Sequence, residues 1–547
     1  MSSPLSTLLV ERIRAGLERK SVTSASRWAE KYRVMGQPFP GYWSFLHHPW
    51  LRGMHDSKAE LNVGRKAAQM GYTETVLNLT FYKMDVEGVD CLYVLPAKTP
   101  DASDFSAARF DPALEMSPHL AKMFSDVKNV GHKRAGINNL YIRGSRSRAG
   151  LKSVPVAFIV LDEVDEMNQE NIPLALERAA GQQHWQAWEI STPRIDNFGI
   201  DKQYQNTTKE HFFFPCPHCG KNIELTFPDN LVITAEDAND PKIRDSYLIC
   251  NLCKGILKHE EKPLFLANGI WVPEVAHYNR GFQVNQLYGV RHPYHIAIAA
   301  IQAKTDPAVE QELYNSKLGL PHVVDGARVS DKEIDTAISE HRSDAAPTHT
   351  KIRTLGVDVG KYLHYIITEW SIPSNAGANN FNILATKKVV AFGKLMQFEE
   401  LDHLMFYHKI RFAVVDANPE RRKALEFAGR FDGLVRLCFY GNSVNGREIH
   451  LSKEDPTVTV DRTSWLDLTL GRFHNASIKL PCDTTHELKE HVKALVRIYE
   501  KDATGNPVGR YINSGDDHYA HALNYDEIAF VLGFAIGKSH NIRNSPL

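Results

Sequence analysis

The pattern of hydrophobic and polar positions predicts a chain of alternating strands and helices. Uninterrupted apolar runs at 91–96 and 154–161 are typical of strands buried on both faces of a parallel sheet. Residues 1–35 carry apolar positions at helical spacing, which predicts an amphipathic helical segment. The stretch 323–350 is polar and charged, and apolar runs resume at 354–361. A chain of 547 residues is too long for one core, so we expect an α/β protein of roughly two to four domains.

A glycine-containing loop lies between a short apolar strand at 61–63 and a helix at 75–82. The usual phosphate-binding loop reads G-x-x-x-x-G-K-[ST] and cradles phosphates with backbone N–H groups. When Gly71 and Thr73 are aligned with its second glycine and its hydroxyl, Tyr72 occupies the lysine position. Lys66 then stands at the first glycine, from which its long stem can still reach the phosphates. A Gly-Tyr-Thr triplet also occurs in plain turns, but strand, loop and helix together are the context that such a site needs.

Two acids follow the apolar run 154–161. Asp162 and Glu163 would lie at the carboxyl edge of a parallel sheet, where ligands bind in open α/β folds. Asp162 can hold Mg²⁺ there, and Glu163 can polarise an attacking water. An acid pair can also begin an ordinary helix, but together with the upstream loop it predicts an ATPase core. A further strand ends in Ser191-Thr192-Pro193, at the position that senses the γ-phosphate and couples hydrolysis to motion in helicase-like and packaging ATPases.

Four of the seven cysteines form two C-x₂-C pairs, separated by about 30 residues. They are Cys216, Cys219, Cys250 and Cys253. No secretory signal precedes them, so we expect a reducing compartment and metal binding in place of disulfides. Four thiolates at this spacing predict a structural Zn²⁺ site of the ribbon type. Cys91, Cys438 and Cys482 lack such partners and are expected to be buried apolar residues.

The second half of the chain carries acids on two predicted strands and at the start of a C-terminal helix. Asp358 interrupts one strand, Asp416 ends another, and Asp516 and Asp517 precede the helix. Carboxylates arranged in this way suit a ribonuclease-H-like nuclease, which binds two Mg²⁺ or Mn²⁺ ions roughly 4 Å apart. Asp517 can alternatively cap the helix. His518 and His521 remain open between DNA contact, metal contact and plain surface positions.

Net charge of −1 neither favours nor excludes a nucleic-acid partner, so DNA contacts must come from local patches. Residues 127–161 contain no acid and carry the predicted DNA-binding side chains Arg143, Arg146, Arg148 and Lys152. A solvated basic face is the equally weighted alternative. No apolar run is long enough for a membrane span.

An ATPase core followed by a ribonuclease-H-like nuclease resembles the large terminase subunit of tailed bacteriophages, in particular the lambda-type branch. The phosphate loop of that branch has the form K-x-x-x-x-G-Y-[ST], which matches Lys66 through Thr73. The cysteine pairs, Ser191-Thr192-Pro193, the Asn315–Gly319 segment and Asp516-Asp517-His518 are also similar. The chain lacks the last acid of the D-D-x-x-D-A motif of many terminases, so the third metal ligand stays open between Asp516 and Asp517.

This resemblance implies an ATP-driven motor that threads viral DNA into a procapsid and an endonuclease that cuts the concatemer. It implies double-stranded DNA, a small terminase subunit and a portal or procapsid as partners, a homo-oligomeric ring, and action in the host cytoplasm. The implied ATP-binding residues are Arg65, Lys66, Gln69, Gly71, Tyr72, Thr73 and Asp162, with Glu163 catalytic and Ser191 and Thr192 coupling. A repair helicase–nuclease and a non-catalytic DNA-binding assembly protein are the alternatives.

The predicted architecture is a P-loop (RecA-like) ATPase domain with a zinc-ribbon-like insertion, followed by a ribonuclease-H-like nuclease domain. The predicted boundaries are 1–210 for the ATPase domain, 211–260 for the insertion, 261–325 for the remainder of the ATPase, 326–350 for a linker, 351–537 for the nuclease and 538–547 for a tail.

Overall fold

The computed structural model describes residues 24–124, 127–152, 154–344, 351–377, 380–441, 446–501 and 506–543. The chain forms two compact units, residues 1–322 and 323–547. Among the described residues, no helix combines the length and the apolar character that a membrane crossing requires.

The first unit is built on a large mixed sheet, with β1 and β2 paired in a separate small sheet. The strands of the unit are β1 (Val34–Met35), β2 (Gly41–Tyr42), β3 (Leu61–Lys66), β4 (Cys91–Leu95), β5 (Val127–Asn129), β6 (His132–Ala135), β7 (Asn138–Gly144), β8 (Phe158–Asp162), β9 (Gln186–Ser191), β10 (Glu210–Pro215), β11 (Asn222–Ile223), β12 (Leu231–Val232), β13 (Tyr247–Ile249), β14 (Ile256–Leu257), β15 (Ile270–Pro273) and β16 (Arg280–Val284). The order β10-β16-β3-β9-β8-β4-β7 is parallel throughout, so the carboxyl ends of these strands share one edge.

Helices cover this sheet. They are α1 (Ala25–Tyr32), α2 (Trp50–His55), α3 (Tyr72–Tyr82), α4 (Ser103–Phe105), α5 (Asp111–Met116), α6 (Pro118–Met123), α7 (Arg148–Leu151), α8 (Ile172–Leu176), α9 (Gly199–Gln205), α10 (Lys262–Leu266), α11 (Tyr294–Gln302) and α12 (Pro307–Glu312). Strands β8 and β9 are buried along their whole length, as their apolar composition predicts. The small sheet β12-β13-β14 lies outside the large one in this unit.

The second unit contains an eight-stranded sheet and a two-stranded one. The strands are β17 (Ile352–Val359), β18 (Leu363–Ser371), β19 (Thr386–Leu395), β20 (Phe412–Asp416), β21 (Val435–Tyr440), β22 (Ile449–Leu451), β23 (Thr457–Val460), β24 (Ile478–Lys479), β25 (Leu495–Lys501) and β26 (Pro507–Asn513). The helices are α13 (Asp331–Ala337), α14 (Phe381–Leu384), α15 (Phe398–Tyr407), α16 (Arg421–Arg430), α17 (Arg462–His474), α18 (His486–Lys493) and α19 (His518–Arg543). The sheet order is β22-β23-β21-β20-β17-β18-β19-β24, with β17, β18 and β19 antiparallel and β17, β20 and β21 parallel.

Helix α19 lies directly on the central strand β17. A Cβ atom at Gly356 would come within 2.1 Å of the Ala522 carbonyl oxygen, so only glycine permits this approach of helix to strand. Beneath the helix, Lys387 Nζ lies 3.0 Å from Asp526 Oδ2 and Arg472 lies 2.5 Å from Glu527, and all four side chains are buried. Buried charges are tolerated when they are paired in this way, and these two pairs tie α19 to β19 and α17.

Two segments differ from their predicted character, and a third is described only in part. The predicted linker 326–350 contains α13, which packs Ile334 and Ala337 into the core of the second unit because Ser330 and Glu333 form a capping box. Helix α19 extends to Arg543, into the predicted tail 538–547. The predicted helical segment 1–35 is described only from residue 24, where α1 is present, and its positions 1–23 lie outside the described residues.

Candidate functional site

Lys66 is the centre of a charged cluster at the carboxyl edge of the first sheet. It ends β3, and its Nζ lies 2.7 Å from Glu163 Oε1 and 3.3 Å from Asp162 Oδ1. Asp162 ends β8 and also accepts a hydrogen bond of 2.7 Å from the Tyr93 hydroxyl. Burial alone would lower the pKa of Lys66, but the two carboxylates outweigh it and raise that pKa. The predicted lysine and acid pair therefore meet, although β9 separates their strands.

The predicted phosphate loop runs from the end of β3 to the start of α3. Gly71 has a φ of 83°, and a Cβ there would lie 2.6 Å from Leu51, so the turn into the helix requires glycine. The ring of Tyr72 is buried against Gly64, where a Cβ would meet it at 2.6 Å. Tyr72 thus belongs to the core and does not replace the lysine in the site. Gln69 is exposed and Thr73 is partly exposed, beside the N-terminus of α3.

Arg65 lies on the opposite face of β3 from Lys66, because successive strand residues alternate. Its guanidinium is 2.6 Å from Asp201 and 4.1 Å from the centre of the Tyr204 ring. Both members of the ion pair are buried. Arg65 was predicted to bind ATP, but its guanidinium is occupied by the ion pair with Asp201 and the contact with the Tyr204 ring.

The end of β9 is hydrogen-bonded to the segment that carries the acid pair. Glu163 has a φ of 66°, which turns the chain sharply at the sheet edge. Ser191 Oγ lies 3.5 Å from Glu163 Oε2 and accepts the N–H of Asp165 at 3.2 Å. Burial would raise the pKa of Glu163, but Lys66 outweighs it and lowers that pKa, so Glu163 is anionic beside the lysine. Ser191 and Thr192, predicted to couple hydrolysis to motion, thus adjoin the candidate water-activating acid.

Asp165 carries this connection further along the chain. It is buried and accepts the N–H groups of Arg194 at 2.9 Å and Ile200 at 2.7 Å. Gly199, with a φ of 50°, makes room for it, since a Cβ would lie 2.3 Å from its carboxylate. Asp165 was not predicted as a site residue. Its position three residues after Asp162, in the run D-E-x-D, is the sequence feature that could have identified it.

The Asn315–Gly319 segment packs against the predicted phosphate loop. Ser316 accepts the N–H of Ala68 at 2.7 Å, and Gly319 packs on the backbone of Ala67, where a Cβ would lie 2.6 Å from the amide nitrogen. Asn315 Nδ2 donates to the carbonyl oxygens of Arg194 at 2.9 Å and Leu320 at 2.8 Å. One segment thus touches both the phosphate loop and the chain after Ser191-Thr192-Pro193.

The four paired cysteines converge as their spacing predicts. The sulfur atoms of Cys216, Cys219, Cys250 and Cys253 all lie within 4.8 Å of one another. A backbone N–H donates to the first sulfur of each pair: His218 to Cys216 at 3.4 Å and Cys253 to Cys250 at 3.5 Å. The cluster can therefore offer four sulfur ligands to one ion.

The basic stretch 127–161 divides into engaged and exposed side chains. Lys133 is buried and pairs with Asp111 at 2.7 Å, and the Arg143 guanidinium donates to the carbonyl oxygens of Gly131 and Ile142. Arg146, Arg148 and Lys152 are exposed and follow β7 at the same sheet edge as Lys66. Of the four predicted DNA-binding residues, Arg143 is thus committed to the backbone.

In the second unit, two histidines lie beside Asp358. It pairs with His364 across strands β17 and β18, and its Oδ2 is 2.8 Å from His518 Nδ1, which raises the pKa of His518. Asp416 ends the neighbouring strand β20. Burial, with the charge of Asp358, raises the pKa of Asp416 to about 6.

The two acids before α19 differ in exposure. Asp516 is exposed, whereas Asp517 is partly buried, lies 3.3 Å from His521 and has a lowered pKa, because His521 outweighs the effect of burial. Within the described part of the chain, the compact ligand groups are the four cysteines and Asp358–His364–His518. The three predicted carboxylates do not form such a group by themselves.

The parallel sheet, the loop before α3 and the Lys66–Asp162–Glu163 cluster are the features that the sequence predicts for an ATPase core of the α/β class. Residues 37–271 match the family model described as "Phage terminase large subunit gpA, ATPase domain". This segment, less than half of the chain, is similar to that family, and the match bears out the resemblance to the lambda-type branch of terminases.

A curated relative, the "Terminase, large subunit" of Enterobacteria phage P21, is 22% identical over 271 residues, which cover 45% of this chain. The chain spans 41% of that relative's length. Among solved structures, the HK97 bacteriophage large terminase is 11% identical with a TM-score of 0.49, over 92% of this chain and 98% of that one. The large terminase nuclease from thermophilic phage G20c is 13% identical with a TM-score of 0.24, over 36% and 97%.

Proposed function

We propose that this chain is a large terminase subunit, an ATP-driven motor that packages viral DNA and an endonuclease that cuts it. The observation that carries the proposal is the ion-paired Lys66–Asp162–Glu163 cluster within a segment that is similar to the gpA ATPase family. This cluster suits ATP hydrolysis because a lysine at the edge of a parallel sheet can neutralise the negative charge of the phosphates. The two acids beside it are then available for Mg²⁺ and for the attacking water.

In the ATPase site, Lys66 binds the terminal phosphates together with the N–H groups at the start of α3. Asp162 and Thr73 offer the hard oxygen donors that suit Mg²⁺, which when bound neutralises phosphate charge. Glu163 holds the attacking water. When phosphate competes for Lys66, the 2.7 Å contact of Glu163 with that lysine weakens and its carboxylate turns to the water. Ser191, Thr192 and Asp165 pass this change to the chain after β9.

The second unit is proposed to be a ribonuclease-H-like nuclease. Three antiparallel strands followed by two parallel ones, β19-β18-β17-β20-β21, support this fold. Asp358, Asp416 and Asp517 come from two strands and the start of α19, with Asp516 as the exposed neighbour. Their carboxylates fit divalent metal, which supplies water activation in phosphodiester hydrolysis. Burial, to which the charge of Asp358 adds, raises the pKa of Asp416.

The four-cysteine cluster is proposed to hold a structural Zn²⁺ in a zinc-ribbon-like insertion. Four sulfur ligands leave no open position, so the ion would hold the fold and take no part in catalysis. The paired turns at the ends of β10 and β13 and the small sheet β12-β13-β14 support this assignment.

DNA contacts and assembly follow from the same proposal. Arg146, Arg148 and Lys152 would grip phosphates of double-stranded DNA without reading bases, so binding should weaken with salt. A small terminase subunit, a portal or procapsid, and a homo-oligomeric ring in the host cytoplasm complete the proposed setting.

The test measures two activities on one preparation of the full chain. Plasmid cleavage with Mn²⁺ or Mg²⁺ and ATP hydrolysis are compared for wild type, Asp358→Asn and Glu163→Gln. We expect Asp358→Asn to lose only cleavage and Glu163→Gln to lose only hydrolysis. Normal cleavage by Asp358→Asn would reject the nuclease assignment, and normal hydrolysis by Glu163→Gln would reject the ATPase mechanism.

A further inference from the structure

Two side chains from outside the predicted phosphate loop bind carbonyl groups of that loop. The indole Nε1 of Trp50 donates to the Met70 carbonyl oxygen at 3.1 Å, and this contact is buried. The amide Nε2 of Gln286 donates to the Ala68 carbonyl oxygen at 2.9 Å. Trp50 begins α2 and Gln286 follows β16, so two separate elements hold two peptide groups of one loop.

These contacts also fix the direction of two N–H groups. In a trans peptide, the carbonyl of one residue and the N–H of the next point in opposite directions, and both peptide bonds are trans. The N–H of Gly71 therefore points away from Trp50, and the N–H of Gln69 points away from Gln286. Neither N–H donates to an acceptor among the described residues, so both are available to a ligand.

The backbone of this segment has the form of an anion-binding nest. Gln69 has a φ of 63° and Gly71 a φ of 83°, whereas Met70 between them does not have a positive φ. Such alternation turns nearby N–H groups into one concavity that binds anions. A residue other than glycine rarely adopts a positive φ, and the bond from Gln286 to the preceding peptide group helps to hold Gln69 in it.

We propose that Trp50 and Gln286 are positioning residues for the nucleotide phosphates, which act through the N–H groups of Gly71 and Gln69. Each side chain keeps a loop carbonyl oxygen turned away from the ligand. Without the indole N–H, the peptide group after Met70 can rotate, and a carbonyl oxygen turned to the site would repel phosphate oxygens. This inference rests on the proposed ATPase function and extends it to residues that do not themselves touch the nucleotide.

The test compares Trp50→Phe with Trp271→Phe in the full chain. Trp271 Nε1 donates to the Trp50 carbonyl oxygen at 2.8 Å, so Trp271→Phe removes an indole hydrogen bond from the same helix without removing one from the loop. Binding of MgADP is measured by calorimetry, and the stability of the free protein by its thermal midpoint. We expect both variants to lower the midpoint, but only Trp50→Phe to weaken MgADP binding, by about 10-fold, the effect of one net hydrogen bond.

Gln286→Met and Gln186→Met repeat the comparison with amides. Like Gln286, Gln186 donates to two backbone carbonyl groups, those of Ser57 and Ala59, which lie outside the loop. MgADP binding should weaken in Gln286→Met and stay close to that of wild type in Gln186→Met. This pair decides the question if Trp50→Phe does not fold, as judged by circular dichroism.

Weakening by a control variant as large as that by its loop-contacting partner would show a general loss of structure and overturn the proposal. Unchanged MgADP affinity in Trp50→Phe or in Gln286→Met would reject the positioning role of that residue. Either result in a wild-type protein that binds MgADP leaves the ATPase function standing. A wild-type protein that binds no MgADP would reject the ATPase function, and this inference with it.

Discussion

The roles of Lys66 and Arg65 can be separated by one pair of compensating substitutions. Both residues lie in the phosphate-loop motif, but Lys66 contacts Asp162 and Glu163 whereas Arg65 pairs with Asp201 and stacks on Tyr204. We expect Arg65 to stabilise the fold and Lys66 to act on the nucleotide. Arg65→Met alone cannot distinguish these roles, because a protein that unfolds also loses activity.

The magnitude follows from the burial of the pair. The Arg65 and Asp201 side chains are 9% and 3% exposed, and 2.6 Å separates their charged atoms. Removing one partner of such a pair leaves an uncompensated buried charge, which costs about 3–5 kcal/mol. Replacing both partners with neutral side chains is often close to neutral. Asp201→Asn also keeps an acceptor for the N–H of Asn197, now 2.9 Å from Asp201.

The assay combines unfolding with ATP turnover. We expect Arg65→Met to lose about 3–5 kcal/mol of unfolding free energy, and Arg65→Met with Asp201→Asn to recover most of it. The double variant should hydrolyse ATP within about twofold of wild type, whereas Lys66→Met should lose about 100-fold or more. A double variant that folds normally and is as inactive as Lys66→Met would refute the reasoning and assign Arg65 to the phosphates.

Three further predictions concern other parts of the chain. Glu189 is fully buried without hydrogen-bond partners among the described residues, and burial raises its pKa from 4.5 to about 7. Because the pKa of Glu189 is higher in the folded than in the unfolded state, the unfolding free energy falls by about 3 kcal/mol as pH rises from 4.5 to 7. Glu189→Met should remove that fall in urea unfolding measured at pH 5 and pH 8. An unchanged pH dependence of the unfolding free energy would contradict this prediction. Chelation should remove one Zn²⁺ per chain and lower the thermal unfolding midpoint. Cys216→Ser should have a low midpoint before chelation, whereas the control Cys482→Ser, outside the cluster, should behave as wild type. Equal midpoints with and without the chelator would argue against a structural ion. Neutralising Arg146 and Arg148 to Gln should reduce DNA-stimulated ATPase more than basal ATPase and flatten the salt dependence by about two in slope, and equal loss of both rates would exclude a DNA grip.

Much of the first site follows from the sequence. An apolar run ending in two acids predicts a buried strand, and the carboxyl ends of parallel strands meet at one edge, so Lys66 and Asp162 could be expected together. The partner of Arg65 could not be foreseen, because Asp201 lies 136 residues away and only the packing of α9 on β3 brings them together. Tertiary contacts of this kind carry no local sequence signal.

The second site shows the same limit in a different form. The sequence predicts a strand at 354–361, which Asp358 interrupts, and the structure pairs β17 at Ile352–Val359 with β18 at Leu363–Ser371. A shift of one residue in their pairing would move His364 to the other face of the sheet. Because that register depends on the turn at 360–362, the contact of His364 with Asp358 could not be fixed from the hydrophobic pattern alone.

The position of Lys66 on a strand explains why the loop tolerates tyrosine where a lysine usually stands. The side chain of a residue at the start of α3 points back onto β3, and Tyr72 fills that space because Gly64 has no side chain. A lysine there would be buried in the same apolar contact, at a cost that its charge makes large. On β3, alternation turns Lys66 to the face of the acid pair and Arg65 to that of Asp201. Gly64, Lys66 and Tyr72 are therefore one coupled arrangement, so Tyr72→Lys should fail to rescue Lys66→Ala.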